Sequence, residues 1–378
     1  MRIGFDATAL PAEPVGAGRY IVRLARALAA QGAEHELIIF VQRPRRTLID
    51  TPPLQNVQWV ETQEMRPALR LLWEQTVLPQ LVRRLGLDLL HSPHYTRPLF
   101  LPCASVVTFH DMTFFLYPQL HTRAKRIFFP WMMRRSARLA EAIMADSEST
   151  YRDAMRILGI PAVKITTVPL GIGEEFHPIT DARLLDDCRQ RYNLPERFVL
   201  YVGLVEPRKN LPLLLQAYAR LAQQDDPPPL VVVGRMGWMY EEVFRQIESL
   251  QLQQRVQFTG YVPDQDLPLV YNLAQCLLYP SRYEGFGFPP LEAMACGTPV
   301  ITTASSAMQD QVGEAGLLVP PQDEQALFQA MRRLLHDHAL QEELSRRGRE
   351  QARKFTWEQT AFKTLQVYRQ AVATHLKR

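Results

Sequence analysis

Short apolar runs alternate with longer amphipathic stretches along almost the whole chain, and the pattern runs through twice. Apolar runs at Ile3–Asp6, Glu36–Val41, Leu87–His91, Ser105–Phe109, Ala142–Ala145 and Ile165–Val168 predict strands. Between them, helices are expected over Gly18–Ala30, Pro67–Leu85, Thr122–Arg138 and Ser147–Ile157. After an interruption the alternation restarts, with strands expected at Phe198–Val202, Leu230–Gly234, Val256–Thr259, Cys276–Tyr279 and Pro299–Thr302. A helix follows each, with Asn210 and Asp264 as N-caps. Repeated strand–helix alternation predicts an α/β protein with two parallel-sheet domains. The glycines and Pro178 of Gly171–Asp181 break both periods and mark the linker. Thr356 and Gln359 have the form of a capping box that opens a last helix. Two such domains leave a cleft, and ligands of open parallel sheets sit beyond the carboxyl ends of the strands. The loops expected there are Gly16–Gly18, His110, Gly203–Asn210, Gly234–Gly237 and Tyr283–Glu292.

The bulk numbers agree with that frame. A length of 378 residues suits two ordinary domains, and 47% hydrophobic residues suit a globular protein with real cores. A net charge of +4 suggests no general nucleic-acid role. The excess lies in the first half, where residues 1–178 hold 21 Lys and Arg against 16 Asp and Glu, a balance compatible with an acidic surface or an anionic substrate. Cys103, Cys188, Cys276 and Cys296 are far apart, which fits a reducing compartment and neither a zinc site nor a disulfide framework. The opening MRIGFDA reads as a strand and not as a signal peptide, and no apolar run approaches the roughly 18 residues of a spanning helix. The expected location is cytoplasmic, with room for peripheral contact at a membrane.

One segment carries most of the chemistry: PSRYEGFGFPPLEAMACGTPVI, Pro280–Ile301. Pro289 and Pro290 suit the first turn of a helix, which puts Glu292 in that turn and Glu284 in the loop before it. The turn Gly285-Phe286-Gly287 frees backbone amides, and a helix start with flanking glycines is a ready phosphate site. Taken singly, Glu292 is equally a dipole-stabilising first-turn acid; two acids around this turn favour a role in binding sugar hydroxyls. In VGLVEPRKN, Val202–Asn210, a strand ends at Gly203 and Arg208 and Lys209 arrive at a helix start. Cations oppose the dipole there, so a diphosphate ligand explains them better than a solvated pair does.

Other motifs divide. His110, between Phe109 and Asp111, ends an apolar strand and can bond a substrate hydroxyl; the plainer reading is a histidine satisfied by Asp111 or by backbone. Gly16-Ala17-Gly18 can bring amides to a phosphate, but Ile21 stands where a dinucleotide fingerprint has its third glycine, and a helix-start loop is as good a reading. Asp264-Gln265-Asp266 has the spacing of a metal-binding carboxylate pair, yet a cap and a first-turn acid explain it better. Arg123–Arg138 interleaves arginines and Lys125 with Phe128, Phe129, Trp131, Met132 and Met133, a mix that suits a helix resting on anionic lipid, although Pro130 interrupts it and the apolar side can equally pack on the sheet.

Together these residues make the chain resemble the retaining family-4 glycosyltransferases of the GT-B fold, and most of all their bacterial mannosyltransferase-type members. The resemblance runs nearly end to end, through GAGRY (Gly16–Tyr20), WEQ..LP (Trp73–Pro79), DLLHSP (Asp88–Pro93), TFHDMTFFLYP (Thr108–Pro118), VGLVEPRKN, YPSRYEGFGFPPLEAMACGTPV (Tyr279–Val300) and FTWE (Phe355–Glu358). It implies two Rossmann-like parallel-sheet domains facing a central cleft. Residues 1–172 form the acceptor side, with the helix at about 357–378 packing back on it, and 182–356 form the nucleotide-sugar side. It implies that Glu284 contacts donor-sugar hydroxyls and Glu292 the nucleotide ribose. Arg208 and Lys209 then grip the diphosphate, His110 lies near the reacting sugar, and Gly16 and Gly18 close over the phosphates or border the acceptor. Gly203, Gly285, Phe286 and Gly287 complete the donor site. Ala307-Met308-Gln309-Asp310 departs from the Leu-Pro-Glu of similar chains, in a loop expected to border the donor, so fine donor specificity is put in doubt.

The implied reaction moves a hexose, mannose first, from a nucleotide sugar to a glycan or lipid-linked acceptor, with retention and without a metal or separate cofactor. GDP-mannose is the first expectation for the donor and UDP-glucose the second. A nucleotide-sugar epimerase or hydrolase on the same scaffold, and a non-catalytic sugar-nucleotide-binding subunit, stay open as alternatives.

Overall fold

The computed structural model describes residues 1–31, 34–49, 56–237 and 240–377. It divides into two compact units, Met1–Gly171 with Thr356–Arg378, and Ile172–Phe355. The first unit carries seven strands: β1 (Arg2–Asp6), β2 (Glu36–Gln42), β3 (Val57–Thr62), β4 (Leu89–Ser92), β5 (Ala104–Phe109), β6 (Ala142–Ala145) and β7 (Ile165–Thr167). The second carries six: β8 (Val199–Val202), β9 (Leu230–Val233), β10 (Val256–Gly260), β11 (Cys276–Tyr279), β12 (Val300–Thr303) and β13 (Leu317–Val319). The orders are β3-β2-β1-β4-β5-β6-β7 and β10-β9-β8-β11-β12-β13, with every pairing parallel. Each is a Rossmann-like sheet whose direction of winding reverses once, at β1/β4 and at β8/β11. Such switch points open a crevice at the carboxyl ends of the strands. The central strands are buried along their whole length, as in Ser105–Phe109 and Leu230–Val233, which is why they read as unbroken apolar runs.

Both strands missing from the sequence reading are edge strands. β3, VQWVET, is only half-buried and so shows no continuous apolar run, and β13 is three residues long. The helix expected over Pro67–Leu85 is two, Pro67–Thr76 and Leu78–Arg84. The break falls at Val77, and Pro79, which has no N–H to give to the preceding turn, sits in the first turn of the second helix. Pro130, by contrast, leaves Arg123–Leu139 a single helix. Neither expected N-cap acts as one. Asn210 sits at the start of Leu211–Gln224 in a left-handed conformation, and its Oδ1 accepts from Arg282 Nε instead of from a helix amide. The helix after Asp264 begins at Leu267, with Asp266 at the cap position; that carboxylate is taken by Arg191 (2.8 Å) and Tyr192 (2.6 Å). Thr356 does cap, its hydroxyl accepting from Gln359 N at 3.2 Å.

The helix so opened, Trp357–His375, belongs to the first unit. Gln31 bonds the Glu358 carbonyl, and the Tyr368 hydroxyl lies 2.6 Å from His91 Nδ1 under the sheet. The two crossings of the chain between units run side by side. Ile172 N donates to Phe355 O (3.0 Å), and a Cβ on Gly171 would strike the Trp357 backbone, so only glycine fits. No helix among the described residues is long and apolar enough to cross a membrane.

Candidate functional site

In the second unit, β8 and β11 are neighbours at the switch point, and each ends in a loop that carries predicted site residues. Arg208 and Lys209 occupy the short turn Pro207–Lys209 after β8, and Glu284 lies in the loop after β11. The structure joins all three. Glu284 is 6% exposed; its Oε2 accepts from Arg208 Nη1 (2.7 Å), and its Oε1 from Lys209 Nζ (2.8 Å), Tyr279 OH (3.0 Å) and Ser281 Oγ (2.6 Å). Arg208 also bonds Glu206 (2.7 Å) and the Tyr283 carbonyl (2.8 Å), while Lys209 bonds the Tyr279 hydroxyl and lies over that ring. Two acids and two bases close a neutral quartet. Burial alone pushes the Glu284 carboxyl up, but Arg208 and Lys209 overcome it and hold the group down to about 2. Burial pulls Lys209 below its ordinary value despite Glu284. Arg208 moves the other way: burial opposes its charge, and Glu284 and Glu206 outweigh that.

Both carboxylate oxygens are occupied by protein donors in this arrangement, so the side chain is a hub that positions the two cations. Ser306, itself in a left-handed conformation (φ 48°), fixes the loop by accepting from Glu284 N at 2.8 Å.

Helix Phe288–Cys296 starts after Gly287, at φ 89°, with Pro289 and Pro290 in its first turn. The prolines carry no N–H, so the amides that this helix start leaves open come from Phe288 and the turn before it. The amides of Phe286, Gly287 and Phe288 have no acceptor among the described residues. The Phe286 ring is buried against Phe288 and Phe355, so only its backbone can serve a ligand. Glu292 lies in the second helical turn, not the first. It is 2% exposed and accepts from Tyr271 OH at 3.0 Å. The Gly203 amide is spent on Val233 O (2.9 Å). Ala307-Met308-Gln309-Asp310 is helical, within Ser306–Val312, not a loop.

In the first unit, β5 pairs with β6 so that Phe109 faces Ala145; the next residues, His110 and Asp146, therefore leave the sheet side by side. His110 is 8% exposed, with Nδ1 2.7 Å from Asp146 Oδ2 and Nε2 2.8 Å from the Pro93 carbonyl. Its partner is thus Asp146, whereas Asp111 turns back to Thr113. Burial works against the imidazolium, but the Asp146 carboxylate and the Pro93 carbonyl outweigh it and raise the pKa, since each ring nitrogen faces an acceptor. Neither nitrogen is open to a substrate hydroxyl in this arrangement. Tyr20, buried, packs edge-on at 4.9 Å from His110 and shares a hydrogen bond with Thr108. Gly16 is exposed at φ 50°, and the Gly18 amide is used on Val15 O (2.9 Å).

Asp146, Glu206, Tyr279, Ser281 and Ser306 escaped the sequence reading. Asp146 and Tyr279 had a signal, each being a polar group at the carboxyl end of an apolar run. Ser306 had none, because its role depends on a backbone conformation that serine rarely adopts.

The family model for glycosyl transferases group 1 matches residues 187–351, and that for glycosyltransferase family 4 matches residues 14–176. The chain is 31% identical over 384 residues to O-antigen chain mannosyltransferase B of Escherichia coli, covering 98% of this chain and 100% of that one. A serotype-specific mannosyltransferase of Escherichia coli, WbdA, is 33% identical over 226 residues, 59% of this chain but 28% of that longer protein. Among solved structures, sucrose-phosphate synthase of Thermosynechococcus elongatus superposes with a TM-score of 0.76 at 24% identity, over 98% of this chain and 99% of that one. Anabaena HepE, solved with UDP-glucose, superposes at 0.76 and 18% identity over 97% and 100%. With its two Rossmann-like sheets and its full-length match to a bacterial relative, the chain belongs to the family-4 glycosyltransferases of the GT-B fold.

Proposed function

We propose that this protein transfers a hexose, mannose first, from a nucleotide sugar to a glycan or lipid-linked saccharide, with retention and without a divalent ion. The observation that carries the reading is the buried Arg208–Lys209–Glu284 cluster at the β8/β11 switch point. The hardest step of glycosyl transfer is departure of the nucleoside diphosphate, whose oxygen gains negative charge as the sugar becomes oxocarbenium-like. Arg208 and Lys209 supply that charge stabilisation from fixed positions, and the amides around Gly287 add to it. When diphosphate oxygens take over the two cations, the Glu284 oxygens are released toward the sugar hydroxyls. Glu292 holds the ribose, His110 borders the reacting sugar, and the Gly16–Gly18 turn closes over the phosphates or borders the acceptor. The donor phosphate itself takes the acceptor proton.

Mannose as the transferred sugar is supported by the mannosyltransferase relative, with GDP-mannose the first donor to test and UDP-glucose, the ligand of the HepE complex, the second. The acceptor reading extends to a peripheral site at an anionic membrane, at the cytoplasmic face. On helix Arg123–Leu139, Ile127 (76% exposed) and Trp131 (48%) stand one turn apart among Arg123, Lys125, Arg126, Arg134 and Arg135, with no acid in the helix.

A thermal-shift panel of GDP, UDP and ADP sugars, followed by turnover with the responding donor, tests the assignment. Loss of all activity on chelation, restored by manganese, overturns metal independence. Rapid consumption or epimerisation of the donor with no acceptor present replaces the transferase reading with a hydrolase or epimerase. Failure to sediment with anionic vesicles at low salt removes the membrane contact.

A further inference from the structure

Gln311 is a large polar side chain in an apolar place. It is 3% exposed, and neither Oε1 nor Nε2 has a hydrogen-bond partner among the described residues. Its main chain is anchored, the carbonyl accepting from Gln351 Nε2 at 2.7 Å, so the position of the side chain is set while its amide stays unsatisfied. Two orphaned polar atoms in a core are costly, and an apolar residue of the same size would avoid that cost. The amide does not point at random. A Cβ built on Gly287 would lie 3.7 Å from Gln311 Oε1 and would collide with the Met308 methyl. Gln311 and Met308 therefore share the space at the Cα of Gly287, the residue that caps helix Phe288–Cys296 and whose turn carries the unpaired amides of Phe286, Gly287 and Phe288. The Met308 thioether is flexible and can be displaced from that point.

We infer that Gln311 is a specificity-determining residue that reads hydroxyls of the donor sugar through the Gly287 turn. The inference rests on the nucleotide-sugar reading above. A phosphate only accepts hydrogen bonds and leaves Oε1 orphaned. A hydroxyl both donates and accepts, and a pair of neighbouring hydroxyls satisfies both ends of one carboxamide. Gln311 is neutral, so it adds selectivity without disturbing the charge balance of Arg208, Lys209 and Glu284.

The test compares the full chain with Gln311→Met, close in shape but apolar, and with Gln311→Asn, which keeps the amide and withdraws it by a methylene. Melting temperatures are read with no ligand, with GDP or UDP, and with GDP-mannose or UDP-glucose. Gln311→Met is expected to melt no lower than wild type without ligand and to keep the nucleoside diphosphate shift. The extra shift that the sugar adds is expected to disappear in both variants, with kcat/KM for the sugar donor falling about tenfold. If the wild type gains an extra shift from the sugar and both variants retain it, Gln311 has no part in sugar recognition. If the wild type responds to no nucleotide or nucleotide sugar, the transferase reading itself fails and takes this inference with it.

Discussion

The two units bury ionisable groups at the same place, the carboxyl ends of their central strands, but wire them differently. In the second unit one carboxylate, Glu284, collects four donors and ties two cations to itself, and Arg208 is tied again by Glu206. In the first unit His110 has a single acid, Asp146, and one carbonyl. The hub fixes charge whatever the neutral-range pH, because its acid titrates near 2. The His110 pair holds a charge that one proton can erase. Fixed charge suits a leaving diphosphate, which needs the same cations at every turnover; a single protonatable link suits a place where polarity changes during binding.

Removing the centre of the hub is the harshest way to test that contrast. Glu284→Gln leaves Arg208 and Lys209 buried with only Glu206, and loss of one partner from a buried pair costs about 3–5 kcal/mol. The depressed carboxyl contributes fully above its ordinary pKa near 4.5, and the contribution fades as pH falls through about 2. Denaturation curves of wild type and variant should therefore differ most at neutral pH and converge between about 4.5 and 2. A gap that stays constant over that range shows that Glu284 stabilises the unit by packing and not by charge.

Taking away one cation bears on chemistry more than on folding. In the proposed reaction Lys209→Ala removes a preorganised donor for the departing phosphate, and turnover should fall on the order of 10²–10³. Near-normal kcat with the responding donor breaks the link between the hub and the reaction. A smaller change tests redundancy: Tyr279→Phe deletes one of the four donors to Glu284, a hydrogen bond to a charged group worth about 1.5–3 kcal/mol, while leaving both cations paired. Activity should drop far less than for Lys209→Ala.

Much of this was legible in the sequence. Buried parallel strands write themselves as apolar runs, so the central strands of both sheets could be read, and the Arg-Lys pair and the Gly-Phe-Gly turn announced themselves by sitting where a helix start disfavours or does not need them. β3 could not be read because its half-exposed side chains break the apolar run, and β13 because it is only three residues long. The pairing inside the site was hidden for another reason. That Glu284 engages Arg208 and Lys209, and that His110 chooses Asp146 over the adjacent Asp111, follows from which strands lie side by side, and sequence distance carries no such information. Asn210 and Asp264 misled because their side chains found tertiary partners or lost the helix start to a neighbour, where local propensity predicts capping.

The first-unit pair supplies the smallest and most discriminating measurement. Asp146→Asn keeps an acceptor beside His110 Nδ1 but removes the negative charge. Burial, the largest influence on this imidazole, is then opposed only by the Pro93 carbonyl and the more distant Asp111. The pKa should move from above the ordinary histidine value to below it. The sign of the stability change follows. A raised pKa contributes stability that is complete below about 6.5 and disappears as pH rises through the folded value, so wild type should lose stability on that side while the variant shows no such slope. Near neutral pH the cost is an exchange of a charged for a neutral hydrogen bond, about 1 kcal/mol, and it widens as pH falls below about 6.5, where the lowered imidazole of the variant resists protonation. Imidazole titration by NMR separates the outcomes. If His110 titrates alike in both proteins, the charge in the first unit is not held by Asp146, and the distinction between a multiply tied hub and a singly tied pair loses its second member.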